Sequence, residues 1–404
     1  RDVVVIGGGL IGAETTEALV SHGCRVTVVE MLEQILSMLD WEMAKLVEQH
    51  MAAKGVRVLT NTKATAIKGK AGAENRVGAV ETDKGDIAAD MVIVSIGVRP
   101  NTALAQASGL ALGSTQAILV DEHMRTSDPN IYAAGDCVEC THLVTNKPAY
   151  VPLGSTANKQ GRVAAINVCG GDAVFPGVLG STICKVFDYA VGCTGLTERA
   201  ARAEGFDVIP VMAPAPDKAH YMPEAKPILL KLVVEKSTGR VLGAQATGPG
   251  DADKRIDVAA MAVATGMGVE QLANADLSYA PPFSSAMDNL ITAANVAKNK
   301  LNGDMVGRSS MEVKAMMEAG EAFCFLDVRS PGEVAQVRLP GSTNIPLGAL
   351  RSRLDEVPRD KPVVTFCKVS LRGYEAALIL RANGFENVSV LDGGVAMWPF
   401  EKET

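Results

Sequence analysis

The sequence has no unbroken apolar stretch of about 20 residues, the length that spans a bilayer. Its hydrophobic residues, 47% of the chain, come in short runs cut by Gly, Asp and Pro. No membrane partner is therefore expected. An excess of basic charge is lacking too. Lys and Arg number 39 against 46 Asp and Glu, with the signs interspersed and a net charge of −7. Such a surface offers no broad positive face to phosphate backbones, and no nucleic acid partner is expected. Nor is there a dense cysteine framework. Eight cysteines are scattered through 404 residues with no secretory leader ahead of them, which points to a cytoplasmic, reducing setting where thiols stay free for chemistry. The chain is too long for one typical core, and roughly 150 residues per domain gives two to four domains.

What is present begins with a βαβ pattern. Val3 to Ile6 form a β-branched run, GGGLIG follows at Gly7 to Gly12, and a helical pattern continues through Ala13, Thr16, Leu19 and Val20. In such a unit Gly7 allows the turn, Gly9 lets the backbone approach a pyrophosphate, and Gly12 lets the helix pack close to the strand. The phosphates then rest on free amides at a helix N-terminus. A second strand, Arg25 to Glu30, ends in an acid at the spacing that accepts hydrogen bonds from an adenine ribose. A 2′-phosphate would be repelled there, so Glu30 favours NADH over NADPH. Val56 to Leu59 and Val77 to Thr82 read as further strands, and Met91 to Ile96 runs into Gly97 and a Pro-containing turn.

Ile131 to Ala134 read as a strand running into Gly135 and Asp136. Alone, Gly-Asp after a strand is only a turn. With the preceding unit it resembles the flavin-dependent pyridine nucleotide-disulfide oxidoreductases. The resemblance implies FAD, with Asp136 at the flavin's ribityl hydroxyls and Pro152 to Val168 as the helix near the isoalloxazine. That family carries an FAD half-domain with its own Gly-rich loop, and usually a redox cysteine, ahead of the NAD module. Neither is present, and the first residue is Arg1, so an amino-terminally truncated unit with its reductase cysteine upstream is expected. Cys137 and Cys140 form a CxxC whose spacing alone is weak evidence for a redox pair, and no second Cys/His pair stands at zinc-ligand spacing.

From Gly180 to about Asn295, strands at Cys184 to Phe187, Val208 to Val211, Ile228 to Glu235 and Val241 to Thr247 precede a helix from Asp253 to Thr265. This resembles the dimerisation domain of the same family and implies a homodimer. Within it, HYMP at His220 to Pro223, with Tyr221, and YAPPFSSAMD at Tyr279 to Asp288 resemble the tyrosine motifs of coenzyme A disulfide reductases and related NADH-dependent persulfide or polysulfide reductases. A phenol can donate a proton to a departing thiolate, and the bland alternative is an interface aromatic with a satisfied hydroxyl. The resemblance implies a small coenzyme A-type disulfide or persulfide as substrate.

Asn295 to Ser310 is polar and reads as a linker. Beyond it come a helix over Met311 to Ala319, strands Phe323 to Val328 and Val363 to Phe366, and a helix from about Gly373 to Asn383. Between strand and helix lies CKVSLR, Cys367 to Arg372. Converging amides and a helix N-terminus make such a loop a cradle for a thiolate or a bound persulfide. With LDVRSPGE, PGSTNIP and LDGGVAMWP, the loop resembles a rhodanese, or sulfurtransferase, domain, which implies Cys367 as the sulfur carrier and Arg372 as its companion. Val337 and Arg338 depart from the Gly-His common in relatives, which leaves the acceptor preference open.

The expected fold is α/β throughout. A Rossmann-like NAD-binding domain spans 1–109, the C-terminal part of an FAD-binding domain 110–174, an α+β dimerisation domain 175–298, a linker 299–310, and an α/β rhodanese domain 311–404. The leading expectation is NADH- and FAD-dependent reduction of coenzyme A disulfide, persulfide or polysulfide coupled to the Cys367 sulfurtransferase. Two alternatives stand beside it: a sulfurtransferase that keeps the oxidoreductase part as a dimerising scaffold, and an NADH oxidase or peroxidase with an accessory rhodanese domain. No metal site is expected.

Overall fold

The computed structural model describes residues 1–73 and 75–403. The first unit runs β1 (Asp2–Ile6), α1 (Leu10–Ser21), β2 (Arg25–Val29), α2 (Trp41–Ala53), β3 (Arg57–Leu59), an antiparallel ribbon of β4 (Ala64–Gly69), β5 (Val77–Thr82) and β6 (Gly85–Ala88), then β7 (Met91–Val94) and the short α3 (Ala103–Ala107). Its parallel sheet has the order β3-β2-β1-β7. β1 is a run of valines because its centre is buried.

Residues 110–174 hold little regular structure beyond a two-stranded ribbon, β8 (Cys140–Thr141) with β9 (Pro148–Ala149), and α4 (Gly154–Val168). The strand expected over Ile131 to Ala134 does not form among the described residues. Its only ladder contact is the single bridge between Tyr132 and Arg125, so Gly135 and Asp136 ride on a loop.

The third unit contains β10 (Thr182–Val186), β11 (Tyr189–Gly195), α5 (Glu198–Ala203), β12 (Val208–Met212), β13 (Ala215–Pro216), β14 (Pro227–Glu235), β15 (Val241–Gly248), α6 (Ala252–Ala264), α7 (Val269–Ala273) and α8 (Asn289–Leu301). Its antiparallel sheet runs β10-β11-β15-β14-β12, with β13 on β14. Most of the segment read as a linker is structured. Leu290, Ala293, Ala294 and Ala297 are buried at helical spacing, and the Asp288 carboxylate accepts from Leu290 N at 3.0 Å to cap α8. Asn295, Lys298, Asn299 and Lys300 belong to this helix.

The last unit is β16 (Gly307–Arg308), α9 (Ser310–Glu318), β17 (Cys324–Asp327), α10 (Pro331–Gln336), β18 (Thr343–Asn344), α11 (Leu347–Leu350), β19 (Val363–Phe366), α12 (Leu371–Ala382) and β20 (Val388–Leu391). Its parallel sheet has the order β16-β20-β19-β17-β18, so Gly307 and Arg308, also read as linker, form its edge.

These units are not beads on a string. Val28, Met43, Val47 and Met51 of the first, Cys184, Val186, Val191 and Met212 of the third, and Met397 of the last belong to one buried apolar cluster. Beside it, fully buried Lys231 on β14 points its ammonium at Asp40 (2.9 Å), Glu198 (2.8 Å) and Glu42. Gln245 completes the joint, donating to the Asp40 carboxylate at 2.6 Å and accepting from Asp40 N at 2.7 Å. Burial works to raise the Asp40 carboxyl, but Lys231 and the amide of Glu198 outweigh it and hold the group below its ordinary value. A charge so deep is tolerated because it is surrounded by partners. Substituting Lys231→Met strands three acids around an apolar side chain. The unfolding free energy from urea titration should fall by about 3–5 kcal/mol, and a loss under about 1 kcal/mol would show that the cluster does not hold the units together.

Candidate functional site

The first group of candidates is built at the exit of β1. Gly7 has φ +103°, and a Cβ on it would sit 2.3 Å from Ser95 O. A Cβ on Gly12 would fall 2.0 Å from Gly7 O, so the approach of α1 to the turn leaves room for hydrogen alone. Gly9, the N-cap of α1, differs: a Cβ there meets nothing within 4 Å. The space above it belongs to a cavity of about 500 Å³ lined by Gly7, Gly9, Glu30, Leu32, Ser95 and Gly97. One Glu30 oxygen accepts from Gly8 N at 2.8 Å and the other from Leu32 N at 2.9 Å. The carboxylate is thereby fixed at the rim, with lone pairs left for hydroxyl donors. Gly7, Gly9, Glu30 and Gly97, at φ +96°, thus come together around a space that fits a dinucleotide, while Gly12 packs α1 against the turn outside that space.

Gly135, at φ +89°, donates to the buried Gln160 side chain on α4 at 2.8 Å, which pins the turn while the Asp136 side chain stays exposed. An exposed carboxylate beside a pinned turn fits the ribityl part of a flavin. No second glycine-rich phosphate cradle stands beside it among the described residues, so these residues would hold part of the group only. The nearby thiols are turned to backbone: Cys137 Sγ to Ala134 O at 3.5 Å and Cys140 Sγ to Ala149 O at 3.4 Å. Burial pushes the Cys140 thiol up to about 11, which makes it a poor nucleophile.

The tyrosines lie on adjoining loops, joined where Ala219 N approaches Pro281 O at 3.4 Å. Tyr221 is 64% and Tyr279 52% exposed, and Phe283 and Met287 extend the patch. Sequence reasoning passed over what anchors it. Arg255 on α6 is buried and grips the Asp288 carboxylate at 2.8 Å and Asp217 O at 2.7 Å, tying both loops to one side chain.

Cys367 follows β19 and is buried. Ser370 is held at φ +79°, unusual for a residue with a side chain, and the last two residues of the expected loop already form the first turn of α12. The Arg372 guanidinium faces Cys367 and binds Glu333 through both terminal nitrogens at 2.8 and 2.6 Å. Arg372 therefore braces the loop against α10. That hydrogen bonding holds the Glu333 carboxyl down at about 2. At Val337 and Arg338, Val337 O accepts from Arg329 at 2.8 Å, and Arg338 pairs its backbone with Glu403. The acidic group Asp40, Glu42 and Glu198, spaced as metal ligands would be, is filled by the Lys231 ammonium.

Comparison with known proteins finds three family matches along the chain. Residues 1–161 match the family model of pyridine nucleotide-disulphide oxidoreductases, 181–291 the dimerisation domain of the same family, and 309–399 the rhodanese-like domain. An NAD(P)H sulfur oxidoreductase (CoA-dependent) of Pyrococcus furiosus is 41% identical over 299 residues, 74% of this chain and 66% of the relative. The chain thus spans just under two thirds of that relative's length. The structure of an NAD-dependent persulfide reductase from A. fulgidus superposes with a TM-score of 0.93 at 47% identity, covering 98% of this chain and 72% of the other. That of Bacillus anthracis CoADR-RHD gives 0.91 at 39% identity, covering 98% and 70%.

The glycines separate packing from binding. Gly12→Ala is expected to cost about 1–3 kcal/mol of stability, read as a lower melting temperature. Gly9→Ala should leave melting unchanged and weaken NADH binding in calorimetry; equal melting losses in both would contradict the assignment. At the loop, ion pairing by Glu333 is present in full above the ordinary glutamate value of 4.5 and fades as the pH falls toward about 2. The melting difference between wild type and Glu333→Gln should shrink over that window and stay constant above it.

Proposed function

The chain belongs to the pyridine nucleotide-disulphide oxidoreductases and carries a rhodanese-like domain, and from that premise we propose that it takes electrons from NADH, by way of FAD, to coenzyme A-type disulfide, persulfide or polysulfide while Cys367 carries sulfane sulfur. The observation that carries this reading is the pairing, in one chain with a shared core, of a dinucleotide cavity and a buried thiol at the mouth of a strained loop.

In this reading the amides at the start of α1 hold the pyrophosphate over Gly9, and Glu30 accepts hydrogen bonds from the adenine ribose, which disfavours a 2′-phosphate. Asp136 holds ribityl hydroxyls. Flavin, when bound, supplies electron exchange between nicotinamide and a disulfide. Tyr279, whose loop is stiffened by Pro281 and Pro282, and Tyr221 present phenols that donate a proton to a thiolate as it leaves. Their exposure, with that of Phe283 and Met287, supports a role at the face where a second copy of the chain packs.

The Cys367 thiolate attacks the outer sulfur of a donor such as thiosulfate. A Cys367 S–S bond forms, the donor S–S bond breaks, and sulfite leaves with the bonding pair. An acceptor thiolate or cyanide then takes the outer sulfur and restores the Cys367 thiolate. Arg372, braced by Glu333, keeps positive charge beside the loop during both steps.

The test is to supply NADH to the flavin-loaded protein with coenzyme A disulfide or persulfide and to measure thiol release. Thiol released in proportion to NADH consumed is expected. Peroxide consumption in its place would support an NADH oxidase or peroxidase. Sulfur transfer needing neither nicotinamide nor flavin, with no thiol release, would leave only a sulfurtransferase on a scaffold. Cys367→Ser should abolish transfer and leave NADH binding intact; unchanged transfer would falsify its assignment.

A further inference from the structure

The segment after β20 touches two things at once. On one side it cups the Cys367 loop: Val395 N donates to Cys367 O at 3.0 Å, Ala396 N to Lys368 O at 2.9 Å, and Ser370 Oγ to Leu391 O at 3.0 Å. Gly394, at φ +56°, passes so close that a Cβ would lie 2.2 Å from Cys367 O. On the other side Asp392 is buried, and its carboxylate is met by the ammonium of Lys300, which reaches across from α8 to 2.5 Å. The Lys300 side chain is only 6% exposed and is fixed by a second hydrogen bond, at 2.7 Å, to Pro210 O at the edge of the third unit. The joint has no slack. A Cβ on Gly307 would sit 2.5 Å from the other Asp392 oxygen, which has no hydrogen-bond partner, and Asp392 N is tied to Arg308 O at 2.9 Å.

A positive φ is strained for a residue with a side chain, so the surroundings of Ser370 must hold the loop in that shape. Those surroundings are residues 391–396, whose own place is set by a cation from another unit. We propose that Lys300 is a positioning residue for Cys367: its pairing with Asp392 holds the 391–396 segment, and through it the strained anion-binding form of the Cys367 loop, so that sulfur transfer depends on the dimerisation unit. Lys300 touches no reacting atom. The inference rests on Cys367 being the sulfur-carrying thiol.

The experiment follows thiosulfate sulfur passing to cyanide in the full chain, well below its melting transition, so that destabilisation alone does not alter turnover of the folded protein. Cys367 forms its persulfide with release of sulfite, and cyanide then leaves as thiocyanate. Lys300→Met should lower kcat roughly ten- to hundredfold with KM for thiosulfate within about twofold, and should slow iodoacetamide alkylation of Cys367. Lys300→Arg should recover most of the rate, and Lys298→Met, which removes a surface partner of Glu270, should have no effect. Wild-type kcat in folded Lys300→Met overturns the proposal. If that variant does not fold, Lys300→Gln is read in the same assay, with the same loss expected and a wild-type rate equally fatal. The underlying reading fails separately: Cys367→Ser that still transfers sulfur removes the carrier, whereas an inactive Cys367→Ser beside a fully active Lys300→Met removes only the positioning role.

Discussion

The ammonium of Lys231, buried between Asp40, Glu42 and Glu198, is the interaction around which the first and third units are arranged. An ion cluster of this kind contributes little net stability against an apolar alternative, because desolvation offsets most of the attraction. Its effect is on geometry. Four charges and the Gln245 amide are satisfied in one relative placement of the two units, and any slippage leaves a charge unpaired in a dry core. Apolar contact next to it supplies the free energy; Lys231 selects the orientation.

Once that orientation is set, the last unit has little freedom of its own. Met397 enters the apolar cluster shared with α2 and the edge of the third unit's sheet, Gln49 donates to Pro399 O at 2.6 Å, and Trp41 packs on Phe400. The dinucleotide cavity and Cys367 are consequently separated by a distance fixed by packing rather than by the length of a connection. A hinged carrier domain would expose polar, water-filled contacts at such a boundary. This one is apolar around Met397 and tied by polar contacts at both ends of the 391–400 segment, through Lys300 at Asp392 and Gln49 at Pro399.

Much of this could be read from the residues before any coordinates. Turn glycines and a β-branched strand are local signals, and Gly7, Gly9, Gly12 and Glu30 took their places for local reasons of sterics and hydrogen bonding. The Cys367 loop was equally legible, since a strand, a short loop and a helix follow one another without interruption, although the helix starts two residues earlier than the sequence suggests. The misreadings came where tertiary contacts decide. Asn295 to Leu301 look like linker by composition, and only the burial of the alanines on one face makes them helix. Ile131 to Ala134 have strand-like residues but no adjacent ladder. Trp41–Ala53 carried a readable signal, Met43, Leu46, Val47 and Met51 at helical spacing behind Asp40, that the sequence reading did not use. Lys231, Arg255 and Lys300 had no signal at all, because an isolated lysine or arginine does not announce which distant carboxylate it will meet.

The position of Met397 bears on how the chain is made. The apolar cluster that α2 helps to close includes a residue that leaves the ribosome some 350 positions after α2 itself. During synthesis the nucleotide-binding sheet can form its ladder early, yet one wall of its core stays open to water until the carboxyl-terminal unit arrives. Translation order and packing order are thus out of step, and Met43, Val47 and Met51 of α2 are the surface a nascent-chain chaperone would meet in that interval.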